Sequence, residues 1–171
     1  MYASVRGTRI YFDVEGAGLV PQGDGMRQRP EAMIIHGGPG GDHSGLKPAL
    51  SPLRESMQLV YFDHRGQGRS ACGDPATYTL DDNVEDMEAL RRHLGLGPVV
   101  SIGTSYGGMV AMAHAARYPE SVSHLERVAG PVADDDVATV GGDHEAGRHQ
   151  VAQLHVIGGG TDGEVLDGDD E

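Results

Sequence analysis

The sequence predicts an α/β fold, a mostly parallel sheet with helices on both faces. Short, apolar, β-rich segments alternate with segments of helical spacing, an order that implies parallel strands joined by crossovers. Three of the strands run directly into unusual loops, "HGGPGG", "DHRGQGRS" and "GTSYGG". In a parallel sheet such loops gather beyond the carboxyl ends of the strands, where sites form.

The elements follow in chain order. "SVRGTRIYFDVEG" reads as a β-hairpin turning at Gly7, with Ile10, Phe12 and Val14 on one face. Residues 32–35 of "EAMIIHGGPGG" form a buried strand that ends in a glycine loop, and "MQLVYFDHRGQGRS" repeats the design with a strand over residues 58–62. In "TLDDNVEDMEALRRHLGLG" the residues Leu80, Val84, Met87, Leu90 and Leu94 recur at helical spacing. Thr79 supplies the N-cap, acids occupy the first turn and Gly95 stops the helix. A buried strand then covers residues 99–102, and a small-residue helix runs from Tyr106 to a stop before Pro119. After "YPESVSHL" the charges of "ERVAGPVADDD" are expected to interrupt a further strand near Leu125.

The last strand and helix flank Gly103-Thr104-Ser105-Tyr106-Gly107, a G-x-S-x-G sequence. A serine on so sharp a strand-to-helix turn projects its hydroxyl above the sheet edge, and the flanking positions must be small because strand and helix nearly collide there. Ser105 is therefore the candidate nucleophile. Its attack on an ester or amide creates an oxyanion, which two backbone N–H groups can stabilise. The N–H of Tyr106, directly after the serine, is one candidate donor, and Gly38 in the loop after the earlier strand is the other. Pro39 has no N–H and shapes that loop. His36, Asp63 and Arg65 read as groups that brace the loops. Cys72, the one cysteine, has no histidine paired with it in a motif.

The motifs at 36–41, 63–70 and 103–111, in this order, resemble the α/β-hydrolase fold and, within it, the proline iminopeptidase-like serine hydrolases. The similarity covers about residues 1–125, the expected N-terminal core of the domain. The resemblance implies Ser105 as nucleophile, with Gly38 and Tyr106 shaping the oxyanion hole. It also implies metal-free release of an N-terminal residue, often proline, from a peptide through an acyl-enzyme. Serine at the elbow argues against the epoxide hydrolases and dehalogenases of the same fold. Tyr106 stands where proline iminopeptidases typically have Trp, so esters, lactones and amides stay open as substrates. The family places the triad acid and histidine late in the chain, in the order Ser, acid, His. Here Asp162, in a G-x-x-D after "QLHVIGG", is a candidate acid, yet all nine histidines precede it. The other route pairs Asp134, Asp135, Asp136 or Asp143 with His144, His149 or His155, and nothing in their spacing recommends it. The sequence is therefore expected to stop short of a complete triad. The readings carried forward are a proline iminopeptidase-like hydrolase, an esterase- or lactonase-type hydrolase of the same fold, and a truncated remnant without catalysis.

Composition bounds the remaining classes. Of the formal net charge of −13, residues 126–171 hold −10, with 2 basic and 12 acidic residues. Gly-rich, acidic and poor in large apolar groups, this segment is expected to be a weakly ordered tail. Nothing resembles a basic footprint for nucleic acid or anionic lipid. No run approaches the ~18 apolar residues of a membrane span, and residues 1–16 lack an apolar signal core. A single cysteine suits a reducing cytosol, so the expectation is a soluble cytoplasmic protein. No cofactor or metal is expected. The histidines at 144, 149 and 155 lack H-E-x-x-H spacing, and Gly158 to Gly163, though G-x-G-x-x-G, lack the following helix and acid that dinucleotide binding needs.

Overall fold

The computed structural model describes residues 1–129 and 152–158. Strands β1 (Tyr2–Val5) and β2 (Thr8–Glu15) form the hairpin expected around Gly7, and β3 (Leu19–Gln22) with β4 (Gly25–Gln28) form a separate two-stranded ribbon. The ribbon was not legible in the sequence, since its residues are almost all exposed and carry no alternating pattern. The central sheet continues with β5 (Glu31–Ile35), β6 (Gln58–Phe62), β7 (Val99–Thr104), β8 (Val122–Ala129) and β9 (Ala152–Gly158). Its order is β1-β2-β6-β5-β7-β8-β9. The pairs from β6 to β9 are parallel, whereas β2 lies antiparallel to β6, with Phe12 opposite Phe62.

Alternation along these strands divides the core between two faces. On one face Met33, Ile35, Val60, Phe62 and Val99 pack with α2 (Leu80–His93) and α3 (Tyr106–Arg117). On the other, Ala32, Ile34, Leu59, Tyr61, Val100 and Ile102 pack with Leu50 of the short α1 (Lys47–Leu50) and with Leu46 and Leu53 in the flanking 3-10 turns. Both faces are thus covered, which is why these strands read as continuous apolar runs. Helix α2 starts as expected, with Thr79 Oγ1 accepting from the Asp82 N–H at 3.0 Å. Its far half is tied to α3 by Glu88, a buried carboxylate that accepts from Arg91, Arg92, His114 and Ser121. Burial alone pushes the Glu88 carboxyl up, but the hydrogen bonds from Arg91, His114 and Arg92 outweigh it and hold it at about 2.

Strand β8 departs from expectation. It does not stop at Leu125 but runs through Glu126 and Arg127 to Ala129. The Arg127 charge is accommodated because the residue is exposed and lies beside α3, where a Cβ on Gly108 would meet the Arg127 side chain at 2.9 Å. The aliphatic stem packs while the charge stays in water. Beyond β8, "AQLHVIG" is a strand, β9, with His155 opposite Glu126 in the register.

Candidate active site

The site is built from the ends of three adjacent parallel strands. Ser105 follows β7 and stands at φ 48°, ψ −118°, a left-handed backbone that L side chains seldom adopt. Such strain costs about 1–3 kcal/mol and persists only where the surroundings over-determine it. Here they do. A Cβ on Gly103 would fall 2.7 Å from the Gly108 nitrogen, and one on Gly107 would fall 2.6 Å from the His36 carbonyl oxygen, with the Ile35 oxygen closer still. The glycines of the G-x-S-x-G turn thus let α3 start against the end of β5. Ser105 occupies the N-cap position of α3, yet its hydroxyl makes no capping bond. The side chain is exposed instead.

The loop after β5 comes to the same point. Gly37 has Ser105 Cβ 3.2 Å and the Thr104 carbonyl 3.3 Å from where its own Cβ would be, a closer approach than most side chains make, so the loop packs directly on the serine. Gly38 stands at φ +133°. Its N–H takes part in no hydrogen bond among the described residues. The N–H of Tyr106, at the first position of α3, has no acceptor within the helix. Of the two N–H groups singled out from the sequence, that of Tyr106 directly follows Ser105, and that of Gly38 follows Gly37, whose Cβ position lies 3.2 Å from Ser105 Cβ.

The loop after β6 braces the loop after β5. Asp63, fully buried, accepts from the His43 N–H at 2.9 Å, from His43 Nδ1 at 2.7 Å and from the Arg69 N–H at 2.8 Å. Gln67 Oε1 accepts from the Gly40 N–H at 2.9 Å. Arg65 is held by two 2.6 Å bonds to Asp86 on α2, and Arg6 of the β1–β2 turn joins the same carboxylate at 2.9 Å. These are loop-fixing contacts, as read for Asp63 and Arg65. Reading the sequence missed His43, His64 and Gln67. The partners of the first and last lie 20 and 27 residues away, so no local spacing signals them.

His36 and His64 form a buried pair beneath the elbow, with ring centroids 4.4 Å apart. Burial pushes His36 down from its usual value and pushes His64 down to about 3. His64 packs edge-on against the Tyr106 ring at 5.6 Å, while the Tyr106 hydroxyl accepts from Asn83 at 2.8 Å. His114 is buried on Glu88. Among the described residues no histidine or carboxylate hydrogen-bonds the Ser105 hydroxyl. The candidate acids Asp134, Asp135, Asp136, Asp143 and Asp162, with His144 and His149, lie outside the described residues, and His155 is placed by its backbone in β9.

No group of three His, Cys, Asp or Glu side chains among the described residues is arranged to hold a metal. A cavity of about 620 Å³ lies on the flank of the sheet, lined by Arg6, Arg9, Arg65, Cys72 and Tyr78 among others, and does not reach Ser105. Two of its three arginines are already held by Asp86, so the chemistry belongs with the strained serine rather than with this hollow. No helix among the described residues is long and apolar enough to cross a membrane.

Comparison with known proteins accords with this geometry. The family described as the alpha/beta hydrolase fold matches residues 33–162. The chain belongs to this family. As an α/β hydrolase it is similar to proline iminopeptidases. The proline iminopeptidase PfmaB of Pestalotiopsis fici is 35% identical over 119 residues, 67% of this chain and 41% of that protein. A proline iminopeptidase of Thermoplasma volcanium is 30% identical over 125 residues, 72% of this chain and 40% of that protein. Among solved structures, the proline iminopeptidase-related protein from Thermus thermophilus superposes with a TM-score of 0.66 at 29% identity, covering 75% of this chain and 43% of the other. An esterase from Thermogutta terrifontis gives 0.63 at 25% identity, with 75% and 45% covered. This α/β hydrolase chain spans about 40% of the length of the curated relatives it matches.

Proposed function

We propose that this α/β hydrolase chain carries the nucleophile and oxyanion site of a cytoplasmic serine hydrolase that releases N-terminal residues from small peptides. The observation that carries the reading is Ser105 at φ 48°, set against Gly37 at the tight turn into α3 with its hydroxyl making no capping bond. In the reaction Ser105 Oγ attacks the carbonyl carbon of the scissile amide while a base takes its proton. The tetrahedral oxyanion is met by the N–H groups of Gly38 and Tyr106. The amine then leaves with a proton, and water hydrolyses the acyl-enzyme. The similarity to proline iminopeptidases supports a peptide substrate.

A second reading rests on Tyr106 and on the esterase likeness: the same site acts on an ester or lactone. A fluorophosphonate probe reports the nucleophile whichever acyl group is preferred. Because no base reaches Ser105 among the described residues, labelling of this chain is expected to be slow, since an unassisted hydroxyl is a weak nucleophile at neutral pH. Serine proteases that lose a triad member keep only ~10³–10⁴-fold over the uncatalysed rate. Slow labelling that vanishes in Ser105→Ala supports the assignment, and equal labelling of both proteins overturns it. Proline p-nitroanilide and p-nitrophenyl acetate then separate the peptide reading from the ester reading.

A further inference from the structure

The peptide joining Gly37 to Gly38 is held from one side. His36 Nδ1 donates to the Gly37 carbonyl oxygen at 2.7 Å, and His36 Nε2 accepts from the backbone N–H of His64 at 3.2 Å. An imidazole whose Nε2 accepts carries its proton on Nδ1, so the loop after β6 sets the tautomer that grips the loop after β5. Burial, which disfavours the imidazolium, acts in the same direction. In a trans peptide the C=O and the N–H lie in one plane and point opposite ways. Whatever fixes the Gly37 oxygen therefore fixes the Gly38 N–H.

We infer that His36 is a positioning residue: by holding the Gly37 carbonyl beneath the loop it turns the Gly38 N–H outward beside Ser105. Two neighbouring contacts narrow the alternatives. Gly37 lies against Ser105, with Ser105 Cβ 3.2 Å from where its own Cβ would be, and a Cβ on Gly41 would sit 2.8 Å from the Gly37 oxygen and 3.5 Å from His36 Nδ1, so Gly41 closes over the same hydrogen bond. Without the imidazole, Gly37 and Gly38, both lacking a Cβ, leave the peptide free to flip. A flipped peptide would present a carbonyl oxygen where an oxyanion must bind, and repulsion would replace attraction. His36 thus acts on the site without touching a substrate, and the backbone N–H of His64 acts through it. The inference rests on the Ser105–Gly38 reading of the site, and its test is chosen to be separate from that reading.

The test uses NMR of the unreacted full chain. In the wild-type protein His36 is expected as the neutral Nδ1–H tautomer, with a nuclear Overhauser contact between the Gly38 amide proton and the Ser105 β-protons. His36→Phe keeps a ring of similar shape but removes both nitrogen functions. In a folded His36→Phe chain that contact is expected to disappear while the contacts of the Tyr106 amide persist. Persistence of the Gly38 contact in that variant overturns the inference. If the variant does not fold, the wild-type tautomer decides: a proton on Nε2, or on both nitrogens at neutral pH, overturns the inference, and Nδ1–H alone with the Gly38 contact supports it. Neither readout requires turnover. Their failure strikes the role of His36, whereas failure of probe labelling strikes Ser105 as nucleophile.

Discussion

Replacing Gly107 by alanine sets two rules of protein chemistry against each other. Gly107 is the second residue of α3, and exchanging a helical glycine for alanine ordinarily stabilises by about 0.5–1 kcal/mol through chain entropy. At this position the new Cβ would fall 2.6 Å from the His36 carbonyl oxygen and nearer still to that of Ile35, where real Cβ atoms stay beyond 3.0 Å. Both oxygens are backbone, at the end of a central strand, so neither can rotate away. The His36 oxygen alone requires 3.0 − 2.6 = 0.4 Å of movement and the nearer Ile35 oxygen requires more, and it must come from α3 or from β5. Overpacking of this kind costs about 1–3 kcal/mol, so after the entropic gain the net loss is about 0–2.5 kcal/mol, and about 1–3 kcal/mol relative to a glycine-to-alanine exchange that meets no clash. For a chain of this size that places its Tm roughly 2–12 °C below that of such a control. Urea and thermal unfolding measure it, with Gly45→Ala as the control, since nothing lies within 4 Å of a Cβ there. The same movement displaces the Gly37–Gly38 peptide relative to Ser105, so fluorophosphonate labelling should also slow. A Gly107→Ala chain as stable as Gly45→Ala, labelled at the wild-type rate, would refute the close approach of helix and strand on which the site is built.

Two further outcomes test the frame behind the site. The Glu88 carboxyl is held at about 2 against its usual 4.5, a depressed value, so its contribution is full above pH 4.5 and is lost as pH falls toward 2. At ~1.36 kcal/mol per pH unit this amounts to about 3 kcal/mol, and urea unfolding of wild type and Glu88→Gln should differ by about that at pH 6, by about half of it at pH 3, and converge only near pH 2; a difference that does not change with pH contradicts the assignment. Asp86→Ala leaves the Arg65 guanidinium, whose side chain is 8% exposed, without its two-pronged partner, and should destabilise by about 3–5 kcal/mol in denaturant unfolding. A loss below 1 kcal/mol would mean that Asp82, 3.7 Å from Arg65, takes over the pairing.

The sequence by itself determined the alternation of strand and helix, the covered sheet and the elbow. These are local properties. Apolar runs at residues 32–35, 58–62 and 99–102 leave few choices for a chain that must pair its backbone and bury both faces. Glycines around a serine between strand and helix specify a turn by sterics alone. Thr79 and Gly95 marked the ends of α2 because capping chemistry acts within one turn. Only the tertiary structure decided what reaches across the chain. It brought Gly37 against Ser105, paired Asp63 with His43, set Gln67 on Gly40 and aimed His36 at its own neighbour through a tautomer chosen by His64. Reading the sequence stopped β8 at Leu125, because Glu126 and Arg127 look unfit for a strand. The fold keeps both in β8, and for Arg127 the reason is that an exposed arginine beside α3 buries its stem and leaves its charge in water. The physical reason is common to all of these. Periodicity and capping are set by residues a few positions apart, whereas burial and hydrogen-bond partners are set by strand order, and the order β6-β5-β7 that assembles this site is the product of packing the whole sheet.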